Sequence, residues 1–407
     1  NLPSQDDLLL ILARAKEGQA KLPTLAQISV PASATLHVVG DLHGHFNDFR
    51  YIIDCYGEPL EGICGTQYLF NGDFTDRGSW APEIVLCLCC MKLLHPGSVH
   101  LNRGNHEDHA QNARPENGFR DRDCLRAWPS HCELMYGLFR KFFQQLPLCH
   151  VIENQVAVMH GGLARDSGVT LKELQTIERK RAVPTRECGL LGYCKGQKVT
   201  AKRALEASNK AVIAAGSAGR LISTARTEAH ALASFDGHDE MVEVKIVGAP
   251  EFETDVDITY SSKEARLQQR SDRIFTALLW SDPTNSKASS PNPRGAGILF
   301  GKDATSDFLR TNGLRSILRS HQKTRNGYQA EQKSDSEGIK CATVFSASNY
   351  PSGAGDKGGK GNRATVVVVE NGTDEILVLT PANPWREVYE GLRWVEPGMR
   401  RSLMEDS

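Results

Sequence analysis

Six residues define the chemistry open to this chain: Asp41, His43, Asp73, Asn105, His160 and His321. Asp41-Leu42-His43 offers one oxygen and one nitrogen ligand from a single loop. Asp73 can supply a carboxylate that bridges two ions. Asn105 offers an amide oxygen, and His160 and His321 offer neutral imidazoles. Mixed oxygen and nitrogen ligation suits Mn²⁺, Fe or Zn²⁺ better than a soft thiolate site would. Six ligands with one shared fit a two-metal centre. Such a centre can generate hydroxide at neutral pH and clamp both oxygens of an in-line displacement at phosphorus. Taken singly, an Asp beside Gly is ordinarily a turn former, and a loop His is ordinarily a surface or hydrogen-bonded residue. The case for a joint site rests on five strand-end loops that each deliver such residues.

Further residues sit among these ligands. His106 follows Asn105, and Asp76 lies three positions past Asp73. An Asp–His pair beside a metal-bound phosphate can protonate a leaving oxygen, the carboxylate orienting the ring and stabilising imidazolium. The alternative is that Asp76 caps the next helix and His106 is another ligand. Arg77 and Arg294 are candidates to fork a phosphate with bidentate hydrogen bonds. Spacing puts Arg77 beside the site but does not place Arg294.

The elements that must hold these residues are legible as a repeating unit. A β-rich run at 35–39 ends in Gly40-Asp41 and is followed by a helical pattern at 46–55. A second run at 67–71 ends in Gly72-Asp73 and is followed by a helix at 81–94. A third, at 98–102, ends in Arg103-Gly104-Asn105. This βαβαβ pattern predicts parallel strands with their loops at one edge, where ligands bind in open α/β sheets. Runs at 155–159, 314–319 and 341–345 precede His160, His321 and Ser346-Ala347-Ser348-Asn349-Tyr350. Runs at 364–370 and 375–380 flank Asn371-Gly372 as a hairpin. Residues 4–20 read as a leading amphipathic helix with Ser4 as N-cap. Residues 186–262 read as an insertion, with an Ala-rich helical segment at 201–235 and a strand at 241–247. Residues 352–361 read as a glycine-rich loop.

Composition narrows the class. The chain has 407 residues, 48 Lys+Arg against 49 Asp+Glu and a formal net charge of −1, with 40% apolar residues. Those proportions support a large core and argue against disorder. Near-neutral charge disfavours a nucleic-acid or membrane-surface protein. No apolar run reaches the ~18 residues needed to span a bilayer. The 11 cysteines are scattered, which implies no disulfide framework and favours a reducing compartment, cytoplasmic or nuclear. The CxxC at Cys87 and Cys90 lies in an apolar helical stretch and reads as packing rather than redox or zinc chemistry.

The motifs together resemble the metal-dependent phosphoprotein (Ser/Thr) phosphatases. Gly40-Asp41-Leu42-His43-Gly44, Gly72-Asp73-Phe74-Thr75-Asp76-Arg77-Gly78 and Arg103-Gly104-Asn105-His106-Glu107 look like the start of that family's signature. His160-Gly161-Gly162-Leu163, Leu278-Leu279-Trp280-Ser281-Asp282-Pro283, Ser320-His321-Gln322 and Phe345-Ser346-Ala347-Ser348-Asn349-Tyr350 continue it in order. The resemblance implies a calcineurin-like metallophosphoesterase fold, a central β-sandwich flanked by helices, with one catalytic domain over 1–407 carrying the insertion. It implies that Asp41, His43 and Asp73 hold one metal, and Asp73, Asn105, His160 and His321 the other. It makes His106 the general acid, supported by Asp76. Arg77, Arg294, Asn105 and Tyr350 would bind the substrate phosphate. The implied reaction is hydrolysis of phosphoserine or phosphothreonine by direct attack of a dimetal-bound hydroxide. The implied partners are phosphoprotein substrates and a regulatory subunit or docking partner. The likeness extends to the EF-hand-containing retinal degeneration C branch, through Asn102 to Asp108, Arg294-Gly295 leading to Phe300-Gly301, and Ser348, although no EF-hand loop is readable. His45 stands where the family usually has Gln. Rival readings are a dinucleoside polyphosphate or cap-cleaving hydrolase of the same superfamily, and a non-catalytic phosphatase-like scaffold.

Overall fold

The computed structural model describes residues 3–115, 118–184, 263–334, 338–350, 361–371 and 377–382, with the backbone of 197–200, 241–247 and 255–259. The glycine-rich stretch at 352–361, except Gly361, and the Ala-rich segment at 201–235 lie outside the described residues.

Helix α1 (Gln5–Ala20) begins where Ser4 caps it. Ser4 Oγ accepts from the Asp7 N–H at 3.2 Å, and Asp6 and Asp7 occupy the positive first turn. The chain then runs through β1 (Leu25–Ile28), β2 (Thr35–Val39), α2 (Phe46–Tyr56), β3 (Thr66–Phe70), α3 (Ala81–Leu94) and β4 (Val99–Leu101). β2 pairs in parallel with β3, and β3 with β4, which is the expected βαβαβ unit. The cysteines of α3 pack within it, Cys89 fully buried and Cys87 and Cys90 partly so.

After helix 132–143 come β5 (Cys149–Ile152) and β6 (Val156–Met159). The chain divides into two compact units, one of residues 1–183 with 275–407 and the other of 184–274. In the second unit, β7 (Gln197–Thr200), β8 (Met241–Val247) and β9 (Asp255–Thr259) form an antiparallel sheet. Helix 263–280 then leads to the short strands β10 (Asp282–Pro283), β11 (Ser290–Pro291) and β12 (Ile298–Phe300). The last strands are β13 (Ser316–Arg319), β14 (Tyr328–Ser334), β15 (Gly338–Val344), β16 (Val366–Asn371) and β17 (Leu377–Ala382).

The first unit is built on two sheets, of order β17-β16-β2-β3-β4 and β1-β5-β6-β13-β15-β14. β2 explains why they stack. Side chains alternate across a strand, and both faces of β2 are apolar. Leu36 and Val38 enter a core shared with Val156, Val158, Leu318 and Val344 of the other sheet. Val39 packs on the opposite face with Tyr68, Phe70, Leu8, Leu12 and Ile84, under the helices. The result is a sandwich with helices on its outer face. An isolated parallel bridge between Asp41 and Phe345 brings strand ends of the two sheets to one edge.

Candidate dinuclear metal centre

The site lies at that edge. Asp41 and His43 follow β2, Asp73, Asp76 and Arg77 follow β3, and Asn105 and His106 follow β4. His160 follows β6, His321 follows β13, and Tyr350 lies beyond β15. All six proposed ligands converge here, each buried. The backbone is strained to allow it. Of the eight described non-glycine residues with left-handed φ, six are His43, Asp73, Asp76, Arg77, His321 and Asn349. Such conformations cost about 1–3 kcal/mol each and persist only where surrounding structure enforces them. Close loop approach adds to this. A Cβ on Gly104 would sit 2.3 Å from the Asp73 backbone nitrogen and from its Oδ1.

The rings are oriented by their outer nitrogens. His43 Nδ1 lies 2.8 Å from the Thr75 carbonyl oxygen, and His160 Nδ1 lies 2.9 Å from that of Asn71. A carbonyl oxygen only accepts, so both Nδ1 atoms carry protons and both Nε2 atoms turn inward. His43 Nε2 is then 3.6 Å from Asp41 Oδ2 and 3.4 Å from Asp73 Oδ2. His160 Nε2 is 3.3 Å from Asp73 Oδ2 and 3.0 Å from Asn105 Oδ1. The Asn105 amide also faces His321 Nδ1. Asp73 therefore stands between both halves of the set.

These lone pairs point into a common volume and need positive charge there, whether proton or metal ion. Burial, and then the charge of Asp73, push the Asp41 carboxyl up to about 7. Burial holds His43 down at about 3 and His321 well below the ordinary imidazole range, the neutral state a ligand requires. His160 is raised in spite of its burial because Asp73 attracts a positive charge to it. Two groups of residues bring their ligand atoms within 4.8 Å of one another: His43, Asp73 and His106, and Asp73, His160 and His321. The donor set fits two hard or borderline cations.

His106 belongs with Asp76. Its Nδ1 is 2.5 Å from Asp76 Oδ2, and Asp76 Oδ1 accepts the Phe119 N–H at 2.6 Å. Burial opposes protonation of His106, but Asp73 and Asp76 outweigh it and raise the imidazole above its ordinary value. The ring stands edge-on to His43 at 4.7 Å between centroids. Arg294, which spacing could not place, reaches the site through a clamp. Its Nε donates to Asp282 Oδ2 at 2.7 Å, and its Nη2 lies 3.4 Å from the His321 carbonyl oxygen. The Tyr350 ring lies 5.0 Å from that of His43. His45 sits at the rim, its Nδ1 3.5 Å from Asp48 Oδ2.

Sequence reasoning missed the supports. Glu107 is buried, and its carboxylate accepts the N–H groups of Asp73 at 2.7 Å, Phe74 at 2.9 Å and Gly104 at 2.9 Å. It ties the loop after β3 to the loop after β4. Arg103, also fully buried, donates to the carbonyls of Glu107, Arg179 and Arg181 and to Asp108 Oδ2 at 2.8 Å. Asp48 accepts from Ser348 N and Oγ, at 2.8 and 2.7 Å, and so holds the segment leading to Tyr350. The available signal was the charged residue inside each motif, since a buried charge must be paired or hydrogen-bonded.

The fold is of the calcineurin-like metallophosphoesterase type, and the converging donors suit a metal centre. A profile described as calcineurin-like phosphoesterase matches residues 34–217. The chain is similar to serine/threonine-protein phosphatases. It is 30% identical to phosphatase T of Trypanosoma brucei brucei, over 88% of this chain and 55% of the relative. It is 30% identical to human phosphatase 5, over 85% of this chain and 50% of the relative. The chain thus spans about half the length of the curated relatives it matches. Among solved structures, a protein serine/threonine phosphatase from Saccharomyces cerevisiae superposes with a TM-score of 0.63 at 27% identity, covering 94% of this chain and 90% of that one. These relatives are of the T and 5 type and do not bear on the expected likeness to the EF-hand branch.

Proposed function

We propose that this chain hydrolyses phosphoserine and phosphothreonine in proteins at a dinuclear metal centre. The observation that carries the reading is the His106–Asp76 pair set against six converging donors. Asp41, His43 and Asp73 would hold one ion, and Asp73, Asn105, His160 and His321 the other. Manganese, iron and zinc all suit these donors. When bound, the ions supply Lewis-acid charge to the phosphoryl oxygens and acidify water at neutral pH.

The chain's own residues do the rest. Arg77 and Arg294 offer guanidinium donors to the phosphate, with Asn105 and Tyr350 beside them. The Asp282 clamp keeps Arg294 aimed, which lowers the entropy cost of binding. Asp76 holds the proton of His106 Nδ1, leaving Nε2 to deliver its proton to the departing serine or threonine oxygen. Asp76 also stabilises the imidazolium that exists before the transfer.

Metal analysis run beside an assay on phosphoserine and phosphothreonine peptides, diadenosine tetraphosphate and an aryl phosphate tests the proposal. We expect two ions per chain and release of inorganic phosphate from the peptides. Preferential cleavage of the dinucleotide would move the substrate class to the rival hydrolase. A metal-free chain with no turnover in added Mn²⁺ would leave only a scaffold.

A further inference from the structure

Among the described residues, the guanidinium groups on one wall beside the site make their hydrogen bonds to main-chain and hydroxyl oxygens. Arg122 Nη1 donates to the Arg77 carbonyl oxygen, and its Nη2 donates to Ser79 Oγ at 3.1 Å. Arg126 Nη2 donates to the Ser79 carbonyl oxygen at 2.7 Å. Arg114 is exposed and stands near enough to feel repulsion from Arg77 and attraction from Asp76. The contrast is Arg120, in the same turn, which is occupied by Glu133 at 2.6 Å and Asp121 at 3.5 Å.

A guanidinium carries five N–H donors and no acceptor. Arg122 spends two of its contacts, and Arg126 one, on oxygens of the loop that carries Arg77. Those oxygens anchor the side chains without neutralising them. Arg126 Nη2 also makes a long ion pair with Asp123 Oδ1, at 3.7 Å, and that carboxylate is buried. Burial pushes that carboxyl up to about 7, so it cancels only part of the charge near neutral pH. Trp80, half exposed at the start of α3, extends the same edge with a flat apolar face.

We infer that Arg114, Arg122 and Arg126, with Trp80, form a subsite that selects phosphosites flanked by acidic side chains. The inference rests on the phosphoprotein reading and sharpens it. An aspartate or glutamate next to the phosphoresidue would meet anchored arginines, so little side-chain freedom is lost on contact. Attraction at a partly exposed wall is modest for each charge and is screened by salt. The preference should therefore come from several arginines acting together and should weaken at high ionic strength.

The test compares kcat/KM for three phosphothreonine peptides, flanked by Glu, by Ala or by Lys, with an aryl phosphate as the flank-free probe. We expect the wild-type enzyme, metal-loaded, to prefer the Glu peptide over the Ala peptide by about 10-fold at low salt. In Arg122→Ala/Arg126→Ala that preference should fall to about 2-fold or less, with aryl phosphate turnover within about 2-fold of wild type. Arg126→Glu should shift preference toward the Lys peptide. Equal use of the three peptides by wild type would overturn the subsite alone. A parallel loss on aryl phosphate would also overturn it, by showing that the arginines only brace Arg77. Aryl phosphate turnover with no peptide hydrolysed would remove the phosphoprotein reading, and this inference with it.

Discussion

At the scale of single residues, the division of labour turns on which nitrogen holds a proton. Main-chain carbonyls fix the Nδ1 protons of His43 and His160 and turn their Nε2 lone pairs inward. A carboxylate fixes that of His106 and, being charged, stabilises imidazolium more strongly than a neutral carbonyl does. This suits the first two rings to the proposed role of ligands and the third to that of acid. His106→Asn keeps approximate size and polarity but has no transferable proton. Turnover of a phosphothreonine peptide should fall by ~10²–10⁴ with metal content unchanged, as measured by steady-state kinetics beside elemental analysis. Loss of a metal ion in this variant would instead assign His106 to the ligand set, as its closeness to His43 and Asp73 permits.

At the scale of elements, short loops do the positioning, and what holds the loops is less legible than what they carry. The β2–α2–β3–α3–β4 unit and the residues it delivers could be read from β-rich runs that each end in a short motif. Glu107 could not, because the partners that tie it to the preceding loop are main-chain N–H groups more than 30 positions upstream, and no side-chain pattern encodes them. The Asp282–Arg294 clamp was hidden for a related reason: its partners lie twelve positions apart, and the chain between them must fold back to close it. The stacking of two sheets was an implication of the family resemblance, and apolar residues on β2 are what bring it about. Gly104 shows how tight the arrangement is. Gly104→Ala should push the Asp73 backbone away and cost at least tenfold in activity while the helical content stays wild-type, checked by kinetics and circular dichroism. The π-turn over Arg120–Cys124 carries the other telling element, Asp123, whose two oxygens have no hydrogen-bond partner. Burial, aided by Asp76 and Glu83 against Arg122 and Arg126, lifts its carboxyl to about 7. The folded state therefore keeps this proton longer than the unfolded chain does. The group's contribution to stability is most favourable below the ordinary carboxylate pKa, declines as pH rises toward 7, and stays unfavourable above it. Asp123→Asn should remove that decline and gain up to ~4 kcal/mol relative to wild type between pH 4 and pH 8, read from denaturant melts across that range.

At the scale of the whole molecule, net charge and local charge tell different stories. The chain sums to −1, yet it buries Asp41 and Asp73 close enough for the charge of one to oppose ionisation of the other. Two divalent ions would add about four positive charges at that point, which would both relieve the carboxylates and focus a positive potential where phosphate must bind. The folded first unit, built from both sheets, is then partly held by the ions, because the six donors come from loops of five different strands and are scattered in the unfolded chain. A ligand that binds only the folded state stabilises by about 2.7 kcal/mol when present at 100 times its dissociation constant. For a unit of this size that corresponds to a melting shift of roughly 4 °C. Chelation should therefore lower the melting temperature by about that much, and added Mn²⁺ should restore it. Asp73→Asn, which removes the carboxylate standing between both halves of the set, should melt at the same temperature with and without chelator. If wild type is equally indifferent to chelator, the six donors are a hydrogen-bonded cluster and not a metal centre, and the proposed chemistry falls with them.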